Sequence, residues 1–262
     1  MSYLNHQIGY RQDLLTTRSV IRKGQFALLD PDGLVRNTIP GFSQCDVTIL
    51  ASPLLGASFV DYLVTAAPGG SCREFGAAGE ELFLYVLQGS LRAWNQEQSG
   101  MLEAGGYLFC PAGTTLSFEN TGTEAARCFL YKRRYAPLPG HTAHTVLGNA
   151  EHLPWTAFEE MEDVGMKDLL PSAADLGFDM NFHILSFRPG ASHGYIETHI
   201  QEHGAYVLSG QGMYCLDDRW LPVQQGDYLF MGAYCPQAAY AVGREAPFAY
   251  LYSKDCNRDV AL

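Results

Sequence analysis

The stretch Gly190-Ala-Ser-His193-Gly-Tyr-Ile-Glu197-Thr-His199-Ile-Gln-Glu-His203-Gly-Ala-Tyr-Val-Leu-Ser-Gly210 holds the side chains best suited to chemistry. Glu197, His199 and His203 occupy positions of one parity, so an extended chain presents them on one face. A carboxylate and two imidazoles converging on an interior would bind a divalent cation, and none of the three is cheaply buried without a partner or a metal. The same three residues on a solvated strand face would need no ligand. Spacing alone leaves both readings open.

The elements that must carry these residues follow from an internal repeat. Tyr85-Val86-Leu87-Gln88-Gly89 matches Tyr206-Val207-Leu208-Ser209-Gly210, and Gly105-Gly106-Tyr107-Leu108-Phe109 matches Gly226-Asp227-Tyr228-Leu229-Phe230, both at an offset of 121. The same offset aligns Gly56 with Gly177, Pro68-Gly69 with Pro189-Gly190, and Phe129-Leu130-Tyr131 with Tyr250-Leu251-Tyr252. The chain is a duplication, with expected units 1–135 and 166–262 and a His-, Pro-, Glu- and Met-rich linker at 136–165. Each unit alternates short β-rich runs with Gly-rich turns, which indicates an all-β sandwich or barrel and, at this length, a jelly roll. Only Met166-Lys167-Asp168-Leu169-Leu170 reads as helix-like, and Pro171 cuts it short.

Function follows from what the two copies do not share. Subtracting 121 from the candidate ligands gives Gly76, Ala78 and Leu82, which cannot hold a metal. The framework is kept while the polar cluster occurs once. A surface cluster would be exchanged for other polar residues, so the comparison favours one working copy and one structural copy. Histidine agrees, being absent between residues 7 and 140.

The spacing G-x6-E-x-H-x3-H-x6-G resembles the first motif of the cupin superfamily, with Glu197 at the usual first-His position and His203 at the usual Glu position. The second cupin motif is recognisable at Gly105 and Pro111-Ala112-Gly113, where Leu116 stands in place of the fourth ligand; adding 121 gives Gln237. The resemblance therefore implies two tandem jelly-roll barrels, a bicupin, with metal ligands Glu197, His199, His203 and Gln237. Over nearly its whole length the chain resembles, more specifically, the (S)-ureidoglycine aminohydrolases, manganese-dependent bicupins. Residues 190–210, the Gly210-Gln211-Gly212-Met213-Tyr214 turn, Pro236-Gln237 and the ending Tyr250-Leu-Tyr-Ser-Lys254-Asp-Cys-Asn257-Arg258 carry that likeness.

This implies hydrolytic deamination of (S)-ureidoglycine to (S)-ureidoglycolate and ammonia in purine (allantoin) catabolism. Tyr250, Lys254 and Gln237 would bind the substrate, Lys254 pairing with its carboxylate, with Tyr214 a weaker candidate for a pocket wall. Glu197 and Lys254 are the catalytic candidates, though spacing does not identify the acid that protonates the departing ammonia. A carboxylate, two imidazoles and an amide oxygen without thiolate favour Mn²⁺, or Fe²⁺, over Zn²⁺ or Cu²⁺. A metal-dependent dioxygenase and a non-catalytic small-molecule-binding bicupin stay open as alternatives.

The other histidines read as bystanders: His193 at a strand end, His183 in the interior, and His141, His144 and His152 solvated. Seven scattered cysteines without a Cys-x-x-Cys pair read as reduced core residues. The N-terminus shows no basic region followed by an apolar core, which points to a cytoplasmic protein. A formal net charge of −11 argues against a nucleic-acid or anionic-membrane partner and leaves a small anionic ureide as the expected one. A charged fraction of only 17% with Tyr-rich strands allows an apolar face for self-association, and the resemblance implies a homo-oligomer.

Overall fold

The computed structural model describes residues 2–3 and 17–260; most of the N-terminal stretch read for an export signal lies outside the described residues. Among the described residues there is no α-helix, and none is long and apolar enough to cross a membrane. The fold is all-β, as expected.

A nine-stranded antiparallel sheet runs in the order Val146–Asn149, Gly106–Cys110, Glu80–Gln88, Ala126–Arg134, Phe59–Phe75, Leu116–Glu119, Ser90–Trp94, Ser99–Glu103, with Phe42–Ala51 also paired to Phe59–Phe75. An eight-stranded sheet runs Thr156–Phe158, Met161–Asp168, Met180–Phe187, Phe248–Asp255, His203–Ser209, Tyr228–Met231, Phe26–Leu29, Val20–Arg22. A three-stranded sheet, Arg219–Gln224, Gln211–Leu216, Gln237–Ala241, faces it. The offset of 121 carries Glu80–Gln88 onto the 203–209 strand, Ser99–Glu103 onto the 219–224 strand and Ala126–Arg134 onto the 248–255 strand, each within a few residues. The hairpin turns repeat too: Gly89 and Gly210 take φ of 74° and 72°, a conformation that costs glycine little.

Among the described residues, three strands cross between the units: Val20–Arg22 and Phe26–Leu29 join the second barrel's sheet and Val146–Asn149 joins the first's. Phe26–Leu29, from the first repeat, pairs with Tyr228–Met231 of the second. Val146–Asn149, from the expected linker, pairs with Gly106–Cys110 of the first. The expected division at 135 and 166 is thus spanned by a reciprocal exchange that ties the barrels together. The expected short helix is also corrected. Met166–Asp168 ends the strand Met161–Asp168 and pairs with His183–Leu185, because a ladder against an existing sheet outweighs local propensity.

Three apolar cores result. Leu82, Leu84, Leu91, Leu116 and Phe118 fill the first barrel, and Leu185, Phe187, Tyr214, Leu216 and Tyr250 lie in the second. Between the barrels, Phe59, Phe83 and Tyr131 of the first meet Phe182, Tyr228 and Phe230 of the second. Phe83 stacks on Phe182 at 3.8 Å between ring centroids. Cys72, Cys110, Cys128, Cys215 and Cys235 are buried and all seven cysteines are free thiols.

Asp61 is an ionisable group in the core between the barrels, fully buried, accepting the Tyr228 hydroxyl at 2.6 Å. Burial pushes its carboxyl well above the ordinary range, against the smaller pull of that hydrogen bond. An acid whose pKa is higher folded than unfolded holds more protons when folded, so its contribution to stability declines as pH rises above the unfolded value of about 4. Asp61→Asn keeps the acceptor for Tyr228 and removes the ionisation. Its denaturant midpoint is expected to exceed the parent's at pH 8, with the gap closing toward pH 4. A variant less stable than the parent at pH 8 would contradict this account.

Candidate metal centre

The ligand candidates do not share one continuous strand. Residues 188–202 form turns and bends, and the regular strand begins at His203. What holds Glu197 in place is a bridge to Gln237, each residue's N–H donating to the other's carbonyl at 2.9 Å. A bent segment pinned to the 237–241 strand, not the extended one expected from parity, brings Glu197, His199 and His203 together.

Around His199 Nε2 stand Gln237 Nε2 at 2.9 Å, His203 Nε2 at 3.3 Å and Glu197 Oε2 at 3.8 Å. With metal–donor bonds of about 2.1 Å, donors at right angles lie about 3 Å apart, so the spacings to Gln237 and His203 suit neighbouring ligands while Glu197 stands wider. The tautomers fit as well. His203 Nδ1–H donates to the Ser253 carbonyl at 2.6 Å and His199 Nδ1–H to the Gln201 carbonyl at 3.1 Å. A carbonyl only accepts, so both protons sit on Nδ1 and both Nε2 lone pairs point at one another, an arrangement that a cation between them relieves. Gln237 Nε2 faces His199 Nε2, and a half-turn of the amide presents Oε1 to the same point.

Burial governs the titration of the cluster. It drives His203 well below its ordinary value, helped by His199, and lowers His199, helped by Lys254. Both imidazoles are neutral at pH 7, the form that ligates metal. Burial raises the Glu197 carboxyl, and the Lys254 charge opposes the rise.

The cavity is lined further by Tyr214, Tyr250 and Lys254, which sequence reasoning named, and by Phe158, Leu185 and Tyr252, which it did not. Tyr252 was findable, since Tyr250, Tyr252 and Lys254 alternate along the last strand and so face one way. Leu185 reads as ordinary core, and Phe158 falls in the expected linker. Tyr214 and Tyr250 pack with ring centroids 5.6 Å apart, and burial keeps both hydroxyls protonated. The Tyr252 hydroxyl lies 2.9 Å from His183 Nδ1, and His183 Nε2 lies 3.1 Å from Asp168. His183 is thus the hydrogen-bonded interior histidine expected.

His193 is turned from the cluster. Its Nδ1 accepts the Ala239 N–H at 2.9 Å and its ring packs on Phe187. His141, His144 and His152 are exposed. At the equivalent place in the first barrel, Leu82 and Leu116 are wholly buried among aliphatic side chains, and a Cβ on Gly76 would meet Leu82 at 2.8 Å. Hydrocarbon fills the space where the second barrel gathers donors.

Comparison with known proteins places this arrangement. The Cupin domain family matches residues 62–131 and 183–253. The chain is 57% identical to the (S)-ureidoglycine aminohydrolase of Escherichia coli (strain K12) over 263 residues, covering 100% of both chains. It is 34% identical to a probable (S)-ureidoglycine aminohydrolase of Oryza sativa subsp. japonica over 93% of this chain and 76% of that one. The crystal structure of the E. coli protein Ylba superposes with a TM-score of 0.86 at 55% identity, covering 97% of this chain and 100% of that one. Two cupin domains in one chain, with relatives matched along its whole length, leave no doubt over kinship: the chain belongs to the (S)-ureidoglycine aminohydrolase family of bicupins.

Proposed function

We propose that this chain hydrolyses (S)-ureidoglycine to (S)-ureidoglycolate and ammonia in ureide breakdown, with a divalent metal in the second barrel. The 57% identity to the E. coli enzyme over the full length of both chains carries the reading, and the convergence of Glu197, His203 and Gln237 around His199 Nε2 supports it. Cupin barrels typically bind a divalent metal; here Glu197, His199, His203 and Gln237 would hold it, and Mn²⁺, with Fe²⁺ as the alternative, suits their hard-to-borderline chemistry. Once bound, the ion supplies Lewis acidity and a fixed point for orienting the substrate.

The chain's own residues supply the rest. Lys254 meets the substrate carboxylate, and Tyr214 and Tyr250 wall the cavity beside it. The aromatic lining keeps bulk water from the reacting carbon, which strengthens every charge interaction inside. At that carbon the C–N bond to the amine breaks, a C–O bond to water forms, and the amine leaves with a proton. Glu197 and Lys254, both lining the cavity, are the candidates to hold or deliver that proton. The substrate is a small anion, the net charge of −11 argues against nucleic-acid and anionic-membrane partners, and the reading takes the protein to be cytoplasmic. The reading includes self-association as a homo-oligomer.

The test is direct. Protein loaded with Mn²⁺ and supplied with freshly generated ureidoglycine should release ammonia without consuming oxygen, and chelation should abolish the release. Oxygen uptake without ammonia would replace this reading with that of a dioxygenase.

A further inference from the structure

The first barrel lacks ligands, yet it grips the second at two points beside the site. Neighbouring residues on a strand face opposite ways. Lys254 faces the cavity, so Asp255 faces outward, and there it pairs with the Arg133 guanidinium of the first barrel. His203 likewise faces the cavity, while the preceding Glu202 carboxylate accepts the backbone N–H of Ser58, in the first barrel, at 2.8 Å. The two grips adjoin, because the Glu202 backbone N–H lies close enough to the Asp255 carboxylate to favour its ionised form. Arg133 and Ser58 are neighbours in turn, since Arg133 lies opposite Phe59 in the first sheet. Arg133, Asp255, Glu202 and Ser58 thus close a ring behind the cavity. The next residue, Gly204, lies so close to the first barrel that a Cβ would fall 1.9 Å from Asp61 Oδ2.

Arg133 is well placed for this task. Its side chain is only 12% exposed, and Glu81 and Asp179 stand 3.6 and 3.8 Å from its nitrogens. Of the three carboxylates around the guanidinium, Asp255 makes the closest contact.

We propose that the ligand-free first barrel sets the spacing between metal ligand and substrate anchor in the second, with Arg133 a positioning residue that acts through Asp255 on Lys254 and through Glu202 on His203. The proposal rests on the reading of the cavity as a metal and substrate site. Groups that orient a ligand without touching the metal cost about 10- to 100-fold in affinity when removed.

Calorimetry with Mn²⁺ and steady-state kinetics on Arg133→Met, Asp255→Asn and Glu202→Gln test it. Arg133→Met is expected to weaken Mn²⁺ about tenfold and raise KM for ureidoglycine about tenfold, and the two carboxylate variants to do so several-fold. Phe109→Leu, which loosens the core between the barrels at Phe178, away from the ring, should lower Tm and leave both constants unchanged. If Arg133→Met does not fold, the two carboxylate variants decide. Folded Asp255→Asn and Glu202→Gln proteins with parental KM and Mn²⁺ affinity would overturn the proposal. A parent that binds no Mn²⁺ would instead bring down the site reading, and the proposal with it.

Discussion

His203→Ala is expected to lose its metal and its turnover together. Purified from Mn²⁺-supplemented cells and desalted, the variant should carry only trace metal, against stoichiometric metal in the parent, and ammonia release should fall to background. The size of the effect follows from what His203 does. It is 3% exposed, its Nδ1–H is committed to the Ser253 carbonyl, and its ring stands edge-on to Tyr252 with centroids 5.1 Å apart. Backbone and packing therefore hold Nε2 in one direction, toward His199 Nε2. Changes to groups that merely orient a ligand already cost about 10- to 100-fold, so loss of the ligand itself sets a floor near a hundredfold in affinity. Activity falls further, since binding and orientation of substrate both depend on the ion. Circular dichroism and Tm separate this from unfolding, because the apolar wall around the site is unchanged. Full activity of the variant after metal stripping would show that the ligand assignment is wrong.

The candidate ligand set stands out in the chain for a physical reason. A duplicated barrel carries its own control, and the exchange of Glu197, His199 and His203 for Gly76, Ala78 and Leu82 separates residues kept for folding from those added for chemistry. The strand pattern was legible for the same reason: apolar alternation and turn glycines recur at one offset, and the structure places the strands accordingly. What stayed hidden was information that periodicity does not contain. Nothing in Phe26–Leu29 or Val146–Asn149 says which sheet edge the strand will join, so their exchange between barrels was invisible. Met166–Asp168 looked helical because the sequence does not show the partner strand that claims it. Phe158 reaches the cavity from a stretch with no repeat signal, through a hairpin whose geometry is set by its pairing with Met161. The bent path from Glu197 to His203 escaped as well, since two backbone hydrogen bonds to Gln237 fix it and backbone bonds leave no mark on residue type.

Lys254→Met should separate catalysis from metal binding by moving them in opposite directions. Lys254 is the cationic side chain among those lining the cavity, and its charge is felt at three ligand positions: it opposes the rise of Glu197 and helps to lower His199 and His203. Removing it deletes a repulsion against any cation held by those ligands, so Mn²⁺ is expected to bind several-fold tighter in the variant. Turnover should nonetheless fall. A carboxylate paired with a lysine in a cavity walled by Tyr214, Tyr250 and Tyr252 gains far more than it would in water, and about 2–3 orders of magnitude in kcat/KM should go with the pair. The kinetic split then identifies the role. A rise in KM with kcat nearly unchanged marks Lys254 as an anchor that holds ground state and transition state alike, whereas an equal fall in kcat and kcat/KM marks a part in proton delivery to the departing amine. Lys254→Arg should rescue little of either, because a planar fork does not fit where a compact ammonium on a flexible stem is required. Lys254→Met with kcat/KM within threefold of the parent would remove Lys254 from the site, and weaker rather than tighter Mn²⁺ binding would show that its charge supports the ligands instead of opposing the ion.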